Sequence, residues 1–125
     1  LDGCTISDAD SDSHTISGTL EVPPGDYLTL SRQTTPGFVT NYEYGGTTLG
    51  NGDDEVILTC GGAEIDRVEY DDGSTFPDPD GASMSLDPAS NNATDNDTGG
   101  NWCATPTSTY NGDFGTPNSA NDSCP

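Results

Sequence analysis

The sequence predicts an all-β fold, an antiparallel sandwich or barrel, from three observations. Gly, Pro or Asx residues interrupt every window long enough to be a helix. The apolar residues fall instead in short alternating runs separated by turn residues, the pattern of half-buried strands. Only 29% of the 125 residues are apolar, against 16 Gly and 9 Pro. A single domain of this composition has a thin core and much turn and loop.

Taken in order, Cys4-Thr5-Ile6 is a short first strand, and His14 opens a strand-like run. Residues 19–22 (TLEV) alternate Leu20 with Val22, and Pro23-Pro24-Gly25-Asp26 turns the chain, because Pro presets φ and Gly permits positive φ. Residues 27–31 (YLTLS) put Leu28 and Leu30 on one face, and residues 41–44 (NYEY) alternate aromatic with polar. Residues 55–60 (EVILTC) and 63–70 (AEIDRVEY) flank Gly61-Gly62, a two-residue hairpin turn. That register pairs Cys60 with Ala63 and Leu58 with Ile65. Simple alternation then puts Ile65 and Val68 on opposite faces, so a β-bulge at Asp66–Arg67 is expected, returning Val68 and Tyr70 to the face of Ile65. Residues 82–87 (ASMSLD) and 101–105 (NWCAT) complete the strands. Residues 71–81, with Phe76 as an anchor, and the polar stretch 87–101 are expected to be loops, the latter mobile or modified.

The charge is extreme: 22 acidic residues against two Arg give a net charge of −20. Direct nucleic-acid binding needs a basic face and is excluded, and membrane insertion has no apolar span to support it. Such a surface repels itself, and divalent cations or salt relieve the repulsion. Four cysteines without a CxxC pair, beside a single His, read as disulfides rather than zinc ligands, and hence as an oxidising compartment. Three pairings exist; Cys103–Cys124, which clips the C-terminal loop, and Cys4–Cys60, which ties two strand regions, are favoured. A first residue that is Leu, without a leader, fits a secreted chain after processing or a fragment of a longer one.

Three kinds of site are candidates. Asp8, Asp10 and Asp12 stand at alternate positions, a spacing that lets side chains in a loop converge on Ca²⁺, the one cofactor the sequence suggests; the Gly and Glu of an EF-hand loop are absent. Asn92, Asn96 and Asn121 each open an N-x-[ST] acceptor for sugar. His14 beside Ser13 is the sole nucleophile–base candidate, and an exposed strand histidine is the simpler reading. Paired carboxylates for glycoside hydrolysis need an apolar pocket to raise one pKa, which a domain this poor in apolar residues seldom builds. Arg67 lies among so many acids that a surface ion pair, worth little, is expected.

A series of motifs runs through the chain in order: Leu1-Asp2-Gly3-Cys4-Thr5-Ile6; Val22-Pro23-Pro24-Gly25-Asp26-Tyr27-Leu28-Thr29-Leu30; Leu49-Gly50-Asn51-Gly52-Asp53-Asp54-Glu55-Val56-Ile57-Leu58; Ile65-Asp66-Arg67-Val68-Glu69-Tyr70. Phe76-Pro77 with Gly81-Ala82-Ser83-Met84-Ser85-Leu86 follows, then Asn101-Trp102-Cys103 and Gly115-Thr116-Pro117-Asn118-Ser119-Ala120-Asn121. Together they resemble a lamin-tail domain of the kind found on secreted bacterial proteins. The resemblance implies an immunoglobulin-like antiparallel β-sandwich, here with long acidic loops, and a non-catalytic structural or interaction role. Asn118 stands where the family usually has Gly, a substitution an αL-tolerant residue allows. The family's upstream strands have no counterpart in residues 1–125, so the domain is expected to be incomplete at its N-terminus, with unpaired strand edges and an apolar groove. A strand from a neighbour filling that gap would build an extracellular fibre or matrix by self-association or with other subunits. The alternative function is a Ca²⁺-dependent adhesion or carbohydrate-binding module of a larger secreted protein.

Overall fold

The computed structural model describes residues 1–125, and the chain is all-β. Ten strands form, interrupted only by single-turn 3₁₀ helices at Pro88–Ser90, Asp95–Asp97 and Gly99–Asn101. The main sheet has four antiparallel strands in the order β2 (Ser13–Thr15), β1 (Thr5–Ser7), β5 (Asp53–Cys60), β6 (Ala63–Asp71). Three two-stranded ribbons surround it: β3 (Leu30–Ser31) with β4 (Tyr42–Glu43), β7 (Met84–Leu86) with β8 (Trp102–Ala104), and β9 (Thr109–Tyr110) with β10 (Asp113–Phe114).

The β5–β6 hairpin is the longest pairing. Gly61 and Gly62 turn it with φ of 59° and 80°, a left-handed pair that a side chain would strain. Cys60 pairs with Ala63 and Thr59 with Glu64, but Leu58 then meets Asp66. The extra residue is therefore Ile65, one position before the expected Asp66–Arg67 step, and the Leu58–Ile65 pair does not form. The bulge brings Val68 and Tyr70 onto the face of Val56 and Leu58, and sends Ile65 outward, where it is exposed. The reason is polar. Asp66 turns to the inner face and accepts a 2.7 Å bond from Asn96 Nδ2, a charge-assisted contact of the same scale as the burial that Ile65 forgoes, about 1.5–3 kcal/mol.

Several other expectations need correction. Residues 19–22 form no strand: Pro23 and Pro24 offer no N–H to a ladder, and Val22 is exposed while Leu20 is buried. Of residues 27–31 only Leu30 and Ser31 pair, and they pair with β4 in parallel rather than antiparallel. Residues 87–101 are folded down rather than left as a free loop. Asp87 caps the first 3₁₀ turn through Ala89 N, Asn92 Oδ1 accepts from Thr94 N and Asp95 N, and Trp102 Nε1 donates to the Asn96 carbonyl.

The apolar core is small. Cys4, Ile16 and Leu20 are buried together, with Ile6, Leu28, Leu58 and Cys60 packed against them. In the C-terminal half buried hydroxyls join the apolar Phe76: Thr105 Oγ1 lies 2.6 Å from Ser85 Oγ and 2.9 Å from Ser83 Oγ beside the β7–β8 pair. Two disulfides, Cys4–Cys60 and Cys103–Cys124, staple the two halves internally, and no cysteine is free. Asn118 adopts φ of 60° and ties the C-terminal segment back through Nδ2 to the Val39 carbonyl.

Gly99 packs its Cα against the 71–76 turn so closely that a Cβ would lie 2.4 Å from the Thr75 carbonyl oxygen. Backbone stands on the far side, so nothing can swing away. Gly99→Ala is expected to lower stability by about 2 kcal/mol, the scale of core overpacking, read as a drop in the urea midpoint.

Candidate functional site

Of the three aspartates named for Ca²⁺, Asp8 and Asp12 have their carboxylates on backbone N–H groups, and Asp10 joins them through its own N–H. Asp8 Oδ1 accepts from Asp10 N at 3.0 Å and Asp12 N at 2.9 Å, and Asp12 Oδ2 accepts from Thr48 N at 3.0 Å. Here the alternating spacing makes an Asx-type turn that starts β2, and no group of three or more His, Cys, Asp or Glu side chains is gathered in metal-ligand geometry. The sugar acceptors differ sharply. Asn96 is buried, with its Nδ2 on Asp66, and Asn121 donates Nδ2 to the Leu86 carbonyl at 2.9 Å. Only Asn92 of the three has an exposed side chain.

His14 is held at both nitrogens. Nδ1 accepts from Gly45 N at 3.3 Å, which leaves the proton on Nε2, 2.9 Å from the Tyr42 hydroxyl. Arg67 bonds both oxygens of Glu64 and reaches Glu69, each at 2.7 Å. The Arg67, Glu64 and Glu69 cluster lies on exposed side chains of β6. The hydrogen bond from Arg67 pulls the Glu64 carboxyl below its usual range.

Asp122 carries the densest set of local bonds. Its carboxylate accepts from Ser108 Oγ and N and from Thr107 Oγ1 and N, and these bonds, those of Ser108 foremost, bring its pKa down to about 2. Asp87 is lowered likewise by Ala89 N and Cys124 N, so both acids pin the Cys103–Cys124 clip. A carboxyl whose folded pKa lies below its unfolded one binds fewer protons when folded. Its stabilising effect is present above the ordinary value of 3.8 and is lost as pH falls towards about 2. Asp122→Asn is therefore expected to lower the melting temperature at pH 6 and to flatten its fall between those two values, as followed by circular dichroism.

A groove of about 460 Å³ with mainly apolar lining runs between the inner face of the main sheet and the β7–β8 ribbon. Val56, Val68 and Tyr70 form its floor, Met84 and Trp102 one wall, and Phe76 supports its end, buried with its ring centroid 6.0 Å from that of Trp102. The same face of β5 and β1 is covered further along, where Leu58 and Ile6 join the core. Asp71, Asp72 and Asp78 rim the groove, and no Lys, Arg or His lines it. The acidity is felt inside. Tyr70, whose hydroxyl donates to the Gly50 carbonyl at 2.7 Å, is pushed up to about 12 by burial and by the charges of Asp54, Glu55 and Asp53.

Each floor and wall residue lies in a run that alternation marks as strand. The resemblance implies an apolar groove, but alternation alone does not reveal that these residues are the ones that converge on it. No family model, no curated protein and no solved structure matches the chain.

Proposed function

We propose that this chain is a non-catalytic, extracellular structural or interaction domain, an immunoglobulin-like β-sandwich of the lamin-tail kind. Its open side takes a strand from a neighbouring subunit, the step that builds an extracellular fibre or matrix. The observation that carries this reading is the groove of about 460 Å³ lying beside the nine-residue edge strand β6. A long strand with one unpaired edge is a template for another chain. The backbone supports it too. Outside its ladder with β5, residues 63–70 make no backbone–backbone hydrogen bond, so the N–H and C=O groups on the outer edge of β6 are open to a partner.

Two further features support a non-catalytic role. The carboxyls with shifted pKa, Glu64, Asp71, Asp87 and Asp122, all move down, whereas a general acid needs its pKa raised. His14 has both nitrogens engaged in holding β2 to the 42–45 segment. Two disulfides in a chain this size fit an oxidising compartment, and no helix is long and apolar enough to cross a membrane.

The test is a panel of extended synthetic peptides as stand-ins for the added strand. Peptides with apolar residues at alternate positions are expected to raise the thermal midpoint and change the emission of Trp102, the single tryptophan. Peptides of the same composition with those residues in one block are not. If no alternating peptide of any charge does either, the strand-accepting reading is wrong.

A further inference from the structure

The charges around the open groove also say what the added strand is made of. β6 presents Val68 and Tyr70 to the groove, while its other face carries Arg67, Glu69 and Asp71. On that outer face Glu69 stands directly across from Glu55, and Asp71 across from Asp53. Like charges directly opposite on neighbouring strands destabilise the pair. Arg67 reaches Glu69 but is shared with Glu64, and nothing basic stands near the Asp71 end among the groove-lining residues. Asp72 and Asp78 extend the same sign along the rim. An apolar floor between acidic borders has one electrostatic complement.

We propose that the groove and the free edge of β6 take a strand that alternates apolar residues with Lys or Arg. The apolar residues enter beside Val68 and Tyr70, and the basic ones lie outward beside Glu69 and Asp71. Successive side chains of a strand point to opposite faces, so a period of two satisfies both borders at once. The inference rests on the strand-accepting reading above and adds the chemistry of the donor. It also separates the donor from a second copy of these residues. The chain holds only Arg32 and Arg67 as basic residues, at a net charge of −20, and no stretch of it alternates apolar with basic. Two copies meeting at this edge would add acid to acid.

Calorimetry with three synthetic peptides the length of β6 tests this: alternating Val and Lys, alternating Val and Gln, and the Val/Lys composition rearranged into a Val block and a Lys block. Trp102 emission is followed in parallel. The alternating Val/Lys peptide is expected to bind at least about tenfold more tightly than the Val/Gln peptide, the sum of two or three cross-strand charge pairs. That preference is expected to shrink with added salt and to fall at least about twofold in the double variant Glu55→Gln, Glu69→Gln, which leaves only the Asp71 end of the outer face charged. Equal binding of the Val/Lys and Val/Gln peptides overturns the basic donor and leaves the strand-accepting groove standing. Equal binding of the alternating and block lysine peptides, with Trp102 unmoved, means general neutralisation of an acidic surface and overturns it too. Concentration-dependent self-association that moves Trp102 makes a second copy the occupant and also overturns it. No response to any of the three removes the groove reading along with the inference.

Discussion

Replacing Cys4 and Cys60 together by alanine is expected to remove about 4 kcal/mol of stability, the chain-entropy value for a loop of this size. The bond spans 56 residues and joins the start of β1 to the end of β5. Both partners belong to the small core, and Cys4 is buried in it. In a domain with a large core such a loss is tolerable. Here only five apolar residues are buried, Cys4, Ile16, Leu20, Ile57 and Phe76, and total stability is about 5–15 kcal/mol even in ordinary domains. Reducing agent is expected to act in the same direction and further, because it also opens Cys103–Cys124. Urea unfolding of the double variant under oxidising conditions measures the first bond alone. A midpoint within error of the parent would mean that the β1–β5 pairing is held by its ladder and packing, not by the crosslink.

Ile16→Ala is the largest single-residue effect expected, about 3 kcal/mol for deleting buried methylenes and leaving a void. Ile16 has no exposed surface and sits between Cys4 and Leu20. Its N–H donates to the Cys4 carbonyl at 2.8 Å and its carbonyl accepts from Gly3 N at 2.9 Å, so the backbone there is fixed and collapse around the cavity is limited. Val39→Ala is the matched control: Val39 is 73% exposed, and its loss is expected to fall within about 0.5 kcal/mol of the parent. If the two variants melt alike, the core does not lie where the structure places it.

The strand pair from Asp53 to Asp71 was legible because alternation, two glycines and a bulge requirement all point the same way. The bulge itself came one residue early, since a sequence does not show that Asp66 has Asn96 waiting for it 30 positions on. The region from Thr19 to Ser31 misled for a related reason. Its apolar residues alternate as in a strand, but Leu20 and Leu28 use that spacing to reach the core from irregular chain. Residues 87–101 looked like free loop because polar composition was the only signal. Their order comes from Asp and Asn side chains bonding nearby N–H groups, which carries no hydrophobic trace. The same habit explains the aspartates at 8, 10 and 12, whose spacing fits a turn as well as a cation. The groove was anticipated only as a consequence of strands that the resemblance implied. Its acidic rim follows from the −20 charge in general, and the facing pairs Glu55–Glu69 and Asp53–Asp71 follow from the bulge-shifted register, which the bulge expected at Asp66–Arg67 and the one found at Ile65 share beyond residue 67.

Amide hydrogen exchange along β6, with and without the alternating Val/Lys peptide, tests the open edge most directly. One edge of β6 is paired with β5 and the other faces no strand. The predicted result is that N–H groups on the unpaired edge exchange fast in the isolated chain and slow markedly when the peptide is bound, with Trp102 emission moving in step. Exchange along β6 that stays unchanged while the peptide binds would contradict strand addition at this edge.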